Sequence, residues 1–307
     1  MSANGFVHEA LFYEDADRFL SGTVPFVEEG LAAGEPVLVA VPEANLDLLR
    51  AGLGTTADHV RFADMTQAGR NPGRIIPWVL YAFLAEHPNE RVRIIGEPIW
   101  AGRSPVEYPA CVQHEALINV AFDGSGATIL CPYDARRLPP DVLIDAEATH
   151  PVLVSGDTRK ASDGYQDPHA VVAAFNAPLP GPPAPAATLV FSGDQLRSVR
   201  SFAIEHARYA GLAKDRLIDL EMAVNEVATN AVAHSPGPGT IRAWSERDAF
   251  VCEISDPGSF TNPLAGRIPP PAGSGRGRGL LLVNHVCDLV RLYTSGLGTT
   301  IRLHLNR

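Results

Sequence analysis

Residues 221–234 read EMAVNEVATNAVAH and continue the stretch KDRLIDL at 214–220. The run contains no glycine or proline, and its spacing predicts a helix over 214–235. On such a helix Glu226 and Asn230 stand four residues apart and share one face, and His234 continues that row a turn further on. Val224, Val227, Ala228 and Ala231 then turn inward. An Asn side-chain oxygen suits a magnesium ion that keeps most of its waters, and a carboxylate one turn away can accept a proton from an attacking hydroxyl. The same spacing also describes an ordinary amphipathic helix with a solvated polar stripe, so its meaning depends on the segments that follow.

The next polar feature is SDPG at 255–258, at the end of a β-rich run. Asp256 there is available to accept the exocyclic amine of an adenine, and Gly258 allows close approach of a base. A plain turn has the same sequence. Beyond it lies a Gly/Pro-rich loop, and then Gly273, Gly275, Gly277 and Gly279 immediately before an apolar helix, 280–286. Backbone amides from Gly275 to Leu280 at a glycine-rich helix start are placed to bind phosphate oxygens, with Arg276 and Arg278 adding positive charge. Taken without the other motifs, the loop reads equally as a surface loop; with them it reads as a lid.

Moving outward, the 307-residue chain is 46% hydrophobic, enough for two ordinary domains. A formal charge of −10 disfavours a nucleic-acid partner. The start, MSANGFVHEALFYED, lacks the basic and apolar regions of a signal peptide, and no stretch is long enough to span a bilayer, so a cytoplasmic protein without a membrane partner is expected. Four cysteines, Cys111, Cys131, Cys252 and Cys287, lack C-x-x-C spacing and read as buried free thiols rather than a zinc site or redox pair. The two HEAL tetrapeptides, at His8 and His114, lack the second histidine of a metalloprotease helix. Neither lysine, Lys160 or Lys214, follows a glycine, which excludes a Walker A loop, and the glycine cluster is not G-x-G-x-x-G.

From Glu9 to Gly156, strand-like runs (EALFY, PVLVAV, HVRFADM, RVRIIGE, ATILCPY, PVLVSG) alternate with helical stretches. This alternation predicts an α/β doubly wound domain over 1–156. Residues 157–186, with five prolines in PLPGPPAP, predict an extended, semi-rigid linker. Over 187–307 the pattern of one strand, two helices, two strands, one helix and two strands predicts a separate α+β two-layer domain.

In this order and spacing, E-x-x-x-N, DPG, GxG and the terminal GTT resemble the ATP site of the GHKL superfamily, and most of all its anti-sigma serine-kinase branch. The resemblance covers about the last 120 residues of the chain. It implies ATP and magnesium as cofactors, Glu226 as general base, Asn230 as magnesium ligand, Asp256 and Gly258 as the adenine box, Gly277 and Gly279 as the lid box, and Thr300 as the threonine beside the adenine. The family often has D-x-G-x-G, and Phe260 stands here in place of the second glycine. HEALFY, GEPVLVAVP, IGEPIW and LCPYD in the first 155 residues resemble the MEDS sensory domain. By position, His8, Glu97, Trp100, Glu115, Cys131 and Tyr133 are candidates for a pocket at the strand ends, where open α/β sheets bind ligands, and buried core roles fit His8 and Cys131 equally well.

The function these resemblances imply is a regulator in which an unknown small-molecule signal acts on a sensory domain. Its C-terminal domain binds ATP and either phosphorylates a serine or threonine of a STAS anti-anti-sigma partner or sequesters a sigma factor. A non-catalytic, nucleotide-dependent binding module is the alternative that Phe260 favours. A sensor histidine kinase ranks last, because a proline-rich segment stands where its acceptor-histidine hairpin would lie. A homodimer is implied by the resemblance alone.

Overall fold

The computed structural model describes residues 5–156, 158–183, 186–270, 273–274 and 277–307. The chain divides into two compact units, Met1–Phe175 and Asn176–Arg307.

The first unit starts with strand β1 (Val7–Tyr13), helix α1 (Ala16–Ala32), β2 (Val37–Val41), α2 (Glu43–Leu53) and β3 (Val60–Asp64). A short α3 (Met65–Ala68) and α4 (Tyr81–Glu86) lead into β4 (Val92–Gly96) and α5 (Tyr108–Ala121). Then come β5 (Ala127–Asp134), α6 (Pro140–Thr149), β6 (Val152–Ser155), β7 (Thr158–Ala161) and α7 (Pro168–Ala174). The sheet order is β3-β2-β4-β5-β1-β6-β7, parallel throughout except for the antiparallel edge strand β7. This is the doubly wound α/β sheet expected. Every residue of β2, VLVAV, is buried, as a parallel strand covered on both faces requires. Strand alternation divides the sheet's side chains between two faces. Leu11, Tyr13, Val37, Val39 and Ile95 join Phe19, Phe26, Leu46 and Leu49 of α1 and α2 in one core, while His8, Ala10, Ile129, Cys131 and Tyr133 lie on the opposite face.

The second unit consists of β8 (Ala187–Phe191), α8 (Leu196–Tyr209), α9 (Lys214–His234), β9 (Gly239–Ser245), β10 (Ala249–Asp256), α10 (Gly279–Val286), β11 (Leu289–Ser295) and β12 (Gly298–Asn306). Its sheet, β11-β12-β10-β9-β8, is antiparallel. One face carries Ile241, Phe250, Cys252, Ile254, Ile301, Leu303 and Leu305 into a core shared with Val199 and Ala203 of α8, Leu220, Val224 and Val227 of α9, and Val283 of α10. This is the two-layer α+β arrangement, with helices on one side only. No helix among the described residues is long and apolar enough to cross a membrane.

The stretch 157–186, expected to be a spacer throughout, is folded over much of its length. Strand β7 pairs with β6, and Arg159 on it reaches the buried Glu9 carboxylate at 3.1 Å. Helix α7 is capped by Asp167, whose Oδ1 accepts from Ala170 N, and Gln113 of α5 donates to Val172 O. Asn176 and Pro180 then lie against the second unit's sheet. Asn176 takes the place of a strand residue at the β11 edge: its Nδ2 donates to Thr294 O (2.7 Å), and its Oδ1 accepts from Thr294 N (3.1 Å). Arg302 of β12 donates to Pro180 O at 2.6 Å, and the chain enters β8 at the far edge. Prolines cannot donate to a ladder but still offer carbonyls, which is how this strap is held. Beneath it Arg302 also grips Glu253 through Nε (2.9 Å) and Nη2 (2.6 Å), with Arg242 on the other carboxylate oxygen and Trp244 under the Arg302 guanidinium.

Candidate functional site

Helix α9 runs from Lys214 to His234, as its uninterrupted sequence predicts, and Val224, Val227, Ala228 and Ala231 are buried. The polar row Glu226, Asn230 and His234 faces away from that core over eight residues, about 12 Å of helix. Among the described residues, neither Glu226 nor Asn230 spends its side chain on a hydrogen bond or ion pair, although both are partly buried. An Asn and a Glu left without internal partners on one helix face are available to a ligand.

The other motifs are brought to the two ends of this row. At one end the helix start of α10 abuts Glu226, so closely that a Cβ on Gly279 would lie 2.4 Å from Glu226 Oε2. At the other end the DPG turn sits against the last turn of α9, where a Cβ on Gly258 would lie 3.1 Å from His234 O and 2.6 Å from Asp256 Oδ1. At Gly258 the neighbours include backbone, so glycine is required there, whereas at Gly279 the neighbour is the movable tip of Glu226. Asp256 Oδ1 accepts from Gly258 N at 2.7 Å, which shapes the turn and leaves Oδ2 for another donor. Gly298, with φ +143°, backs onto the same turn, and a Cβ there would lie 2.2 Å from Asp256 O. The first part of the loop that follows is held by Phe260 N donating to Thr294 Oγ1 (3.3 Å) and by Asn284 donating to Gly266 O (3.0 Å). Gly277 adopts φ +88° just before α10, with Arg278 as the residue that precedes the first turn. Leu280 packs on the core at that turn. Gly275 and Arg276, also expected at the phosphate end, lie outside the described residues.

Thr300 requires a correction. Strand alternation in β12 puts Ile301, Leu303 and Leu305 on the helix-covered face, so Thr300 shares the outer face with Arg302. Thr299 is the threonine beside the DPG turn. It pairs with Asp256 in register, is buried, and donates to Gly258 O at 2.8 Å. The apolar alternation I-x-L-x-L of 301–305 already carried that parity in the sequence.

Two grooves lie close to these motifs without containing all of them. One of about 310 Å³ is bordered by Arg200, Met222, Asn225, Glu226 and Leu282. A wider one of about 1190 Å³ runs along α8 past Arg197, Arg200, Arg208 and Tyr209 and is lined by none of the motif residues.

In the first unit, four of the six pocket candidates come together: His8 of β1, Glu115 of α5, Cys131 of β5, and Tyr133 one strand repeat beyond. His150, at the end of α6, joins them and was not anticipated; it has no motif spacing to any partner. His8 Nε2 and His150 Nε2 lie 3.3 and 3.4 Å from Glu115 Oε2, and Cys131 Sγ lies 3.5 Å from His8 Nε2 and 3.6 Å from Glu115 Oε2. All are buried. Burial lowers the His8 pKa to about 4, with His150 acting in the same direction. Burial also works to raise the Glu115 carboxyl, but the His150 and His8 rings set against its Oε2 outweigh burial and hold it below the usual carboxylate range. The Cys131 thiol is pushed up by burial and then by Glu115. The cluster lies beneath α5, near the beginning of β1 and the middle of β5, and so not at the strand ends as expected.

Glu97 and Trp100 are not part of it. Glu97 follows β4 with the parity of Ile95, so the sheet separates it from Cys131. It accepts from Asn45 (2.7 Å) and from Tyr13 (3.2 Å) on the face covered by α1 and α2. Trp100 stacks under the Arg103 guanidinium at 3.9 Å. Burial raises the Glu97 carboxyl from 4.5 to about 8, against the Asn45 and Tyr13 hydrogen bonds, with Asp134 adding to the rise and Arg137 opposing it. The native state therefore keeps a proton that the unfolded chain releases. The stability contributed by Glu97 is fully present below about pH 4.5 and is lost by roughly 1.4 kcal/mol per pH unit up to about pH 8. Glu97→Gln is expected to flatten this segment of the stability curve, read from urea midpoints at pH 5, 6, 7 and 8 (about four points spanning the window); a slope unchanged by the substitution contradicts the assignment.

Comparison with known proteins bears on both units. Residues 7–151 match the profile of the MEDS family, the methanogen/methylotroph, DcmR sensory domain. Residues 190–305 match the histidine kinase-like ATPase domain. Among solved structures, one that is similar holds the RsbU and RsbW domains of Rv1364c from Mycobacterium tuberculosis, at 19% identity and a TM-score of 0.31, covering 40% of this chain and 33% of that one. The chain thus spans about a third of the length of that protein. No curated protein matches. The chain joins an N-terminal MEDS domain to a C-terminal histidine kinase-like ATPase domain of the GHKL kind.

Proposed function

We propose that the protein is a signalling regulator of the anti-sigma kinase kind, in which the C-terminal domain binds Mg-ATP and transfers phosphate to a serine or threonine of a STAS-domain partner. The observation that carries this reading is the pair Glu226 and Asn230, without side-chain partners among the described residues, on one face of α9 between Gly279 and the Asp256–Gly258 turn. ATP, when bound with magnesium, supplies the transferable phosphoryl group. Asp256 Oδ2 is the acceptor for the base amine, with Thr299 fixing the turn through Gly258 O. The two small residues, Gly258 and Gly279, keep the ends of the row open where any side chain would fill it. Asn230 offers its oxygen to the metal and Glu226 takes the proton of the attacking hydroxyl, a division of labour suited to a reaction that depends mainly on positioning and charge neutralisation. The MEDS domain supplies the regulatory input, a small-molecule signal.

Incubating the purified chain with labelled ATP, magnesium and a STAS-domain protein tests this. Label on a partner serine or threonine supports the reading. An unlabelled partner beside an active control kinase overturns it.

A second reading keeps nucleotide binding without transfer, so that ATP only shapes a surface that captures a sigma factor. Phe260 favours it, because a residue with a side chain stands where the family often has a glycine hinge and restricts the backbone there. Capture that survives Glu226→Ala, with no labelled partner in the wild type, distinguishes this reading.

A further inference from the structure

We infer that the buried cluster His8, Glu115, Cys131 and His150 of the MEDS domain is a closed four-ligand site for a divalent late transition ion, zinc foremost. The inference is independent of the nucleotide site.

Four lines of geometry converge. First, the donor atoms are spaced for one ion. Bonds of about 2.0 Å to nitrogen and oxygen and about 2.3 Å to sulfur, meeting at tetrahedral angles, set neighbouring donors roughly 3.3–3.6 Å apart. The contacts are 3.3 Å (His8–Glu115), 3.4 Å (His150–Glu115), 3.5 Å (Cys131–His8) and 3.6 Å (Cys131–Glu115), and all four donors lie within 4.8 Å of one another.

Second, both imidazoles are oriented from behind as metal ligands are. Asn119 Nδ2 donates to Thr149 O at 2.7 Å, which fixes its amide and turns Oδ1 to His8 Nδ1 at 3.2 Å. His150 Nδ1 lies 2.8 Å from Ala146 O. Each ring therefore carries its hydrogen on Nδ1 and aims the Nε2 lone pair into the cluster, the tautomer that an outer carbonyl normally selects for a ligand.

Third, the cluster is short of donors. Two imidazole lone pairs and a carboxylate face one another with a single thiol among them. Among the described residues, His150 Nε2 and Glu115 Oε1 have no hydrogen bond, nor does the neighbouring Tyr133 hydroxyl. Buried polar atoms are rarely left so, and each calls for an explanation.

Fourth, the charges match. A carboxylate and a thiolate carry the two negative charges that a divalent ion neutralises, in a pocket where an uncompensated charge is costly. Nitrogen, oxygen and sulfur in one set suit zinc better than magnesium or calcium. With four protein donors and none left open, the centre is structural or sensory rather than hydrolytic. It would join β1, α5, β5 and the end of α6, elements separated by up to 142 residues from His8 to His150.

Elemental analysis of the full chain and Co²⁺ substitution test this. After stripping with a chelator under mild denaturant and reloading, the wild type is expected to hold one Zn²⁺ per chain through dialysis and to unfold at higher temperature than the stripped form. With Co²⁺ it is expected to show tetrahedral d–d bands together with a near-ultraviolet thiolate charge-transfer band. Cys131→Ser removes the charge-transfer band, and His150→Ala lowers Zn²⁺ affinity at least tenfold, while His169→Ala, outside the cluster, changes neither. If a variant fails to fold, the wild-type Co²⁺ spectrum decides. Reloaded wild type that retains no Zn²⁺, or a Co²⁺ form without the thiolate band, overturns the inference.

Discussion

Glu226→Ala is expected to lower phosphoryl transfer to a STAS-domain partner by roughly 10²–10⁴-fold, the usual contribution of a positioned general base. Mg-ATP affinity is expected to stay within about threefold of wild type, because a base that acts on the attacking hydroxyl adds little to ground-state binding. The split is specific to this site. Among the described residues Glu226 makes no hydrogen bond or ion pair, so its removal breaks no such contact there. The side chain also abuts Gly279, and its loss only widens the phosphate end. Single-turnover transfer with labelled ATP, beside a nucleotide titration of the same variant, separates the two effects. Equal loss of binding and transfer would place Glu226 in nucleotide binding and would favour the non-catalytic module.

The second large effect concerns the strap. Arg302→Met is expected to destabilise the C-terminal unit by about 3–5 kcal/mol, the cost of leaving a buried carboxylate without its main partner. Glu253 and Arg302 are 5% and 8% exposed at the side chain, and Arg302 alone also holds Pro180 O. Arg242 reaches the other Glu253 oxygen from a position 38% exposed and cannot replace a desolvated, doubly bonded guanidinium. The double change Glu253→Leu with Arg302→Met removes both charges and is expected to cost less than Arg302→Met alone. Urea denaturation followed at Trp244, which stacks on Arg302, reads both. A loss below about 1 kcal/mol for the single variant would mean that the pair is solvated like a surface bridge.

Much of this molecule was legible in its sequence, for local reasons. The unbroken helical run of α9 placed Glu226 and Asn230 on one face because helical spacing alone determines it. The fully apolar VLVAV and the alternation of short strands with helices specified a buried parallel sheet. What was missed depends on pairing. Thr299 rather than Thr300 faces the DPG turn because the face is set by register with Asp256. His150 joins His8, Glu115 and Cys131 through four separate elements, and a rule built on cysteine spacing does not register a site with one cysteine. Glu97 sits across the sheet from those residues, a consequence of strand parity that residue type alone does not reveal. The proline-rich stretch read as a spacer because its composition cannot form a core; the Pro180 carbonyl and Asn176 nevertheless find partners on an existing sheet.

The claim on which the functional reading rests is that the row on α9, closed by the DPG turn, is a nucleotide site. Calorimetric titration of Mg-ATP into the full chain and into Asp256→Asn tests it most directly. Asn keeps an oxygen for Gly258 N, so the turn survives, but it replaces the second carboxylate oxygen with a donor that faces the base amine. Saturable binding with one ATP per chain is expected in the wild type, with a loss of at least tenfold in Asp256→Asn. The absence of saturable binding in the wild type, or equal affinity in the two proteins, would contradict it.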